Sequence, residues 1–267
     1  LSFELRSLFS LAISLIRREV AGRYRGSAFG LLWSLLNPLF MLAVYTFVFG
    51  VVMKSRWTVP GQQAAEHSTG EFAVILFCGL IVFQFFAEVI SLAPGVVVAN
   101  ANYVKKIVFP IQILPVVYAG AALFHAAISL LVLFAFAYAA FGRIPFTAIL
   151  APVVFAPLII VVLGIGWILA SIGVYFRDMS QIVAPLVTAT LFLSPVFFQR
   201  TALPAWLQPW LSLNPLAIPV EGFRNVVIFG VQPDWPSLGY YSVVAVAIAV
   251  LGYQFFQKTR RGFADVL

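Results

Sequence analysis

Glu88 is the one formally charged residue inside an unbroken apolar run of this chain, Phe72–Leu92. A carboxylate in such a run is a functional candidate, able to relay protons or meet a substrate hydroxyl. It fits equally well as a protonated packing residue, or as a group near the end of its helix. His125, midway through the run Val116–Phe141, could bind a proton, but a hydrogen-bonded packing histidine is the more economical role. Glu221 and Arg224 lie three apart, so on a helix they can pair with each other. Their place in the last external segment leaves a gating role open.

The familiar catalytic devices are absent from the sequence. No G-x-x-x-x-G-K-[ST] phosphate loop exists, since none of Lys54, Lys105, Lys106 and Lys258 follows a glycine. ATP cannot be held by that device. His67, His125 and Cys78 cannot build an ordinary zinc site, and there is no G-x-S-x-G elbow. We therefore expect no enzymatic activity, no metal and no cofactor bound by the chain itself.

The elements that must carry these residues follow from composition. The chain of 267 residues is 63% hydrophobic and only 9% charged, with mean hydropathy +1.04. A soluble domain carries about 25% charged residues, so the solvent must be lipid. Six apolar runs are long enough for helices crossing about 30 Å of hydrocarbon: 31–53, 72–92, 116–141, 148–175, 182–198 and 238–256. They are continuous rather than alternating, which excludes a barrel strand pattern. Prolines 38, 94, 115, 152, 157, 185 and 195 bend such helices without forbidding them. The prediction is an all-α integral membrane protein with six transmembrane helices, forming a single transmembrane domain over 1–267. Residues 1–30 make an interface helix and elbow, 31–198 hold spans one to five, 199–237 form an external re-entrant region, and 238–267 hold span six and a tail.

Before the first span, Leu5, Leu8, Phe9, Ala12, Ile13, Ile16 and Val20 recur at helical spacing, with Arg6, Ser10, Ser14, Arg17 and Arg18 on other faces. This pattern predicts an amphipathic helix in the membrane plane; a helix packed on protein is the alternative. The charges there argue against a cleavable signal peptide. Gly22, Gly26 and Gly30 match a helix-dimerisation spacing, but the interleaved arginines favour an elbow. Arg6, Arg17, Arg18, Arg23, Arg25, Lys105, Lys106, Arg177, Lys258, Arg260 and Arg261 fall on one side, against Lys54, Arg56, Arg143, Arg200 and Arg224 on the other. The richer side is the cytoplasmic one, and six spans then place both termini there. The net charge of +7 is accounted for by headgroups and topology rather than nucleic acid.

Residues 199–237 are too apolar for a solvated loop, yet the pieces 204–213 and 215–229 are too short to cross. Two short re-entrant helices fit, with Trp206 and Trp210 at headgroup level; a loop lying flat on the membrane is the alternative. Trp33, Phe40 and Phe47, spaced by seven, share one face of the first span, with Tyr45 and Phe49 beside them. Phe192, Phe197 and Phe198 gather at the outer end of the fifth. Aromatic faces stack on the apolar faces of sugars, which suits a glycan channel, although each ring could also face lipid or pack.

The stretch RREVAGRYRGSAFGLLWSLLNP (17–38), NANYVKKIVFPIQILPVV (100–117), YFRDMSQIVAPL (175–186), and LNPL (213–216) followed by EGFRN resembles, in order, the permease subunits of ABC-type polysaccharide exporters, nearest to the O-antigen exporter permeases. The resemblance implies a homodimeric permease of the bacterial inner membrane, each copy docking a separate ATPase subunit that holds ATP and magnesium. It implies that Arg17, Arg18, Arg23, Tyr103, Val104, Lys105, Lys106, Phe109, Arg177 and Asp178 couple to that ATPase. Trp33, Phe40, Tyr45, Phe47, Phe192 and Phe197 would line a channel for a lipid-linked polysaccharide, and Trp206, Trp210, Asn214, Glu221 and Arg224 would form an outer gate. A capsule or teichoic-acid exporter permease and an ABC permease for a small cargo are the nearest alternatives. A proton-coupled transporter would use Glu88 and His125 but lacks an inverted repeat. A membrane-embedded transferase lacks the carboxylate or histidine cluster it needs.

Overall fold

A computed structural model describes residues 2–52, 69–106, 109–200, 203–211 and 213–267; the side chains of residues 2–7, 69 and 104–106 lie outside that description. Among the described residues the chain is helical throughout, with no strand. The helices are α1 (Ser2–Tyr24), α2 (Trp33–Tyr45, continued by a π turn Thr46–Val52), α3 (Thr69–Leu92), α4 (Val96–Ala99), α5 (Ala101–Lys106), α6 (Leu114–Phe141), α7 (Ala151–Tyr175), α8 (Met179–Leu193), α9 (Gln208–Leu211), α10 (Ala217–Arg224), α11 (Trp235–Thr259) and α12 (Phe263–Val266).

Five continuous helical segments are long and apolar enough to cross a membrane: Gly30–Val52, Gly70–Ala99, Ile111–Phe141, Phe146–Tyr175 and Trp235–Val266. Even the shortest, at 23 residues, is about 35 Å long at 1.5 Å per residue. The fifth expected span, 182–198, departs from expectation. Helix α8 has only 15 residues and stops at Leu193, giving about 22 Å. Ser194 turns to extended backbone with ψ 152, because Pro195 disfavours the helical conformation of the residue before it.

Helices α3 and α6 run antiparallel, while α7 and α11 run parallel. Glu88 near the end of α3 meets His125 on α6, whereas Tyr175 and Thr259 meet at the ends of α7 and α11. The parallel pair α7 and α11 is in very close contact. A Cβ added to Gly164 would fall 2.8 Å from the backbone of Ala249, and Gly252 likewise presses on the Gly164 backbone. Small residues let two backbones approach this closely where lipid supplies no hydrophobic drive.

Helix α3 is the centre of the bundle. Phe72 through Phe83 are all buried, against Leu133, Leu158, Val220 and Val226 from four other segments. Helix α2 is the opposite, with only Ser34 and Leu42 buried. At the other end of the chain, Phe263 of α12 is fully buried beside Val97, Val174 and Phe256, which folds the tail back under α7 and α11.

Helix α1 packs Leu11, Ala12, Leu15 and Ile16 against Ile113, Val117 and Phe109. The apolar stripe is therefore partly covered by protein, with Leu15 at its centre, while Leu8 and Phe9 remain exposed. After Tyr24 the chain turns at Gly26 (φ 82) and Gly30 (φ 52). Both are left-handed conformations that glycine adopts without strain, so these glycines make the elbow.

Candidate functional site

The elbow aims the end of α1 at a polar cluster. Arg23 Nη1 donates to Glu88 Oε1 at 2.6 Å, and His125 Nδ1 lies 3.0 and 3.2 Å from the two Glu88 oxygens. Tyr24 Oη is 3.0 Å from His125 Nε2. Burial pushes the Tyr24 phenol pKa up, which keeps it an O–H donor. A consistent arrangement has Tyr24 donating to Nε2 while Nδ1–H donates to Glu88. Glu88 is thus an ion-paired and hydrogen-bonded carboxylate that joins α1, α3 and α6. Arg23, one of the residues expected to couple to an ATPase, makes its described side-chain contacts in this cluster.

The remaining basic-end residues divide into two groups. Arg18 Nη1 donates to Tyr103 Oη at 2.7 Å, and its guanidinium carbon sits 5.7 Å from the Tyr103 ring centre. Tyr103 stacks on Phe109 at 4.5 Å and 16°. Arg18, Tyr103 and Phe109 therefore form one continuous surface running from α1 to the segment after α5. Arg17, Arg177 and Asp178 are exposed. The side chains of Val104, Lys105 and Lys106 lie outside the described residues. Close by in sequence, Trp167 Nε1 donates to the Gln112 carbonyl and Arg260 to the Gln112 side chain, each at 3.0 Å.

The aromatic residues expected to line a channel separate in the same way. Tyr45 and Phe197 come together at 6.2 Å, with Phe49 stacked on Phe197 at 5.0 Å and Phe192 5.9 Å from it. Trp33, Phe40 and Phe47 stay on the exposed face of α2. Phe49, absent from the expected channel set, joins Tyr45 in linking α2 and its π turn to the turn after α8.

The expected outer gate is built differently from its sequence reading. Glu221 and Arg224 do not pair: no ion pair joins them among the described residues. Arg224, 3% exposed, donates to the carbonyls of Ile75 (3.1 Å), Pro195 (3.0 Å) and Val196 (3.1 Å). The physical reason is the break at Ser194–Pro195. The chain leaves helical geometry there, its carbonyls lose helical donors, and buried carbonyls require partners. Glu221 is only half-buried, and burial raises its carboxyl pKa. Asn214 caps the same turn, giving its amide to Leu193 O and Ser194 Oγ at 3.0 Å and accepting from Leu216 N at 2.9 Å. Trp206 and Trp210 are exposed. The short helices α9 and α10 are present where two were expected, and Thr147 donates at 2.7 Å to the Val226 carbonyl in the π turn Asn225–Phe229 that continues the second.

Three participants escaped the sequence reading: Tyr24, Asn37 and Gln84. The available signal was polar spacing. Gln84 and Glu88 are four apart, as are His125 and Ser129, and Ser34 and Asn37 are three apart. On helices these spacings put polar groups on one face. All six line one cavity, of about 570 Å³, between the end of α1 and helices α2, α3 and α6.

A family described as ABC-2 type transporter matches residues 10–229. The chain is 30% identical to the O-antigen export system permease protein RfbA of Myxococcus xanthus, over 98% of this chain and 97% of the relative. It is 26% identical to the protein of the same name from Klebsiella pneumoniae, over 100% of this chain and 98% of the relative. It is also 26% identical to the polysialic acid transport protein KpsM of Escherichia coli, over 91% of each.

Proposed function

The chain belongs to the ABC-2 type transporter family, and we propose that it is the membrane-spanning subunit of a polysaccharide exporter driven by a separate ATPase. The observation that carries this reading is end-to-end similarity to relatives named as O-antigen export permeases. Two copies pair around the path, and a lipid-linked glycan of the O-antigen type leaves outward through it. ATP and its magnesium ion bind in the partner subunit. The protein lies in the bacterial inner membrane with both termini cytoplasmic. α8 makes a sixth, short crossing, α1 lies at the interface, and α9 and α10 dip back from the outer side.

The mechanism follows from rigid connections. The Arg18–Tyr103–Phe109 surface offers apolar anchors and charge to an ATPase groove. Tilting that surface moves α1, and the Arg23–Glu88–His125 cluster carries the motion into α3 and α6. At the far end, Arg224 and Asn214 hold the turn after α8, so movement of α3 alters the outer mouth. A capsular polysaccharide is the second reading, favoured by the polysialic acid transport relative. The full-length match to O-antigen relatives ranks it second.

The experiment is co-expression with a candidate ATPase in cells that synthesise the glycan but lack its exporter. Restored surface glycan, with ATP turnover only when both subunits are present, is expected. ATP hydrolysis by the purified chain alone, or glycan retained inside despite an assembled complex, rejects the proposal.

A further inference from the structure

The cavity beside Glu88 contains two side chains whose presence the cluster does not explain. Asn37 on α2 and Gln84 on α3 line it and are exposed. Gln84 is an exception on α3, where Phe72 through Phe83 are all buried. Neither carboxamide hydrogen-bonds to the protein among the described residues. Both sit in helices of membrane-crossing length, where an unsatisfied amide costs several kcal/mol in hydrocarbon, on the order of 2–7. Pro38 also removes the helical donor from the Ser34 carbonyl. Trp33 and Tyr45 flank these groups in the same cavity. Twelve residues of helix separate the two rings, a run of about 18 Å along α2. The volume falls in the range of small-ligand sites, about 300–1,000 Å³.

Donors and acceptors without protein partners, bordered by aromatic faces, are complementary to a hydroxyl-rich ring with apolar C–H faces. We propose that this intra-subunit groove is a saccharide subsite, in which Asn37 and Gln84 bind sugar hydroxyls while Trp33 and Tyr45 stack on the ring. The assignment rests on the polysaccharide-export reading and gives it a location. It differs from an all-aromatic path, because the carboxamides select for hydroxyls. Stacking tolerates many sugars, whereas paired amides reject a segment that cannot hydrogen-bond, since their own polar atoms would then be left unpaired. The Arg23–Glu88–His125 cluster closes the groove at its α1 end, so movement of α1 changes the subsite.

The test uses the assembled complex with its ATPase in glycan-producing cells. Asn37→Leu and Gln84→Leu should each reduce surface glycan about tenfold, a loss of about 1.4 kcal/mol, in a complex that still assembles with its ATPase. Gln84→Asn should retain more export than Gln84→Leu. In a Cys78→Ala background, Q84C should react with a water-soluble maleimide and be protected when export is stalled on its glycan. Leucine variants that export at the normal rate overturn the subsite. So does a Q84C that reacts only with a lipid-soluble maleimide, or with neither reagent, because lipid or a second copy then covers the groove. A wild-type complex that exports no glycan, while Q84C still reacts from water, refutes the polysaccharide reading and removes the sugar from a groove that remains hydrated.

Discussion

Arg23 and Glu88 stand 65 positions apart in the chain and meet at 2.6 Å. Their contact joins the last turn of α1 to α3, the most buried helix of the bundle. His125 shares the same carboxylate, so three helices converge on one charge.

This arrangement predicts strong coupling between the two residues. Arg23→Met or Glu88→Gln alone leaves a partner unpaired, which is costly where solvent access is limited. The double variant should be less destabilised than the sum of the singles, with a coupling of about 2 kcal/mol. Unfolding in mixed micelles measures the cycle. Strict additivity would place the pair in bulk water and sever α1 from α3.

Arg224 should matter far more than Glu221. Arg224→Ala leaves the Pro195 and Val196 carbonyls at the break without the guanidinium, along with its added bond to Ile75, and should destabilise by about 3 kcal/mol. Glu221→Gln should change stability by less than about 0.5 kcal/mol. Gly79→Ala should resemble the arginine variant in kind, because a Cβ there would sit 2.5 Å from Arg224 Nη2. Overpacking of that sort costs about 1–3 kcal/mol. Thermal melts of the three purified variants rank them directly, and a Glu221 variant as damaged as Arg224→Ala would contradict the carbonyl anchoring.

Tyr103→Ala combined with Phe109→Ala removes the stacked pair beneath Arg18. We expect the complex to assemble and hydrolyse ATP while glycan export falls about tenfold or more, the equivalent of about 1.4 kcal/mol or more of coupling. Parallel ATPase and surface-glycan assays supply the measurement. Normal export by this variant removes the surface from the coupling route.

Phe40 and Phe47 lie on the exposed face of α2. If that face borders the glycan path, F40C reacts with a water-soluble maleimide, and Phe40→Ala with Phe47→Ala lowers export without loss of assembly. Modification by lipid-soluble reagents only, together with normal export, assigns the face to lipid.

Much of the architecture is legible in the linear order of residues. Continuous apolar runs with almost no charge can be satisfied only by helices in lipid, because backbone polar groups must bond within the segment. The positions of the long helices follow directly. Gly26 and Gly30 mark the elbow, since their neighbours are too polar for a helix interface. These are local properties: transfer energy, periodicity and the φ freedom of glycine.

The partners of the charged residues depend on the tertiary structure. Three-residue spacing makes a Glu221–Arg224 pair possible, but Pro195 creates free carbonyls nearby and the guanidinium satisfies those instead. Arg23 has the sequence context of a surface cation, yet the elbow turns it toward Glu88. Gln84 and Asn37 look like isolated polar residues in separate spans until α2 and α3 are set side by side. Local pattern fixes which segments enter the membrane and which face of each is polar. Which polar faces meet depends on ångström-scale distances between helices, and those arise only when close contacts such as Gly164 against Gly252 settle the packing of the whole bundle.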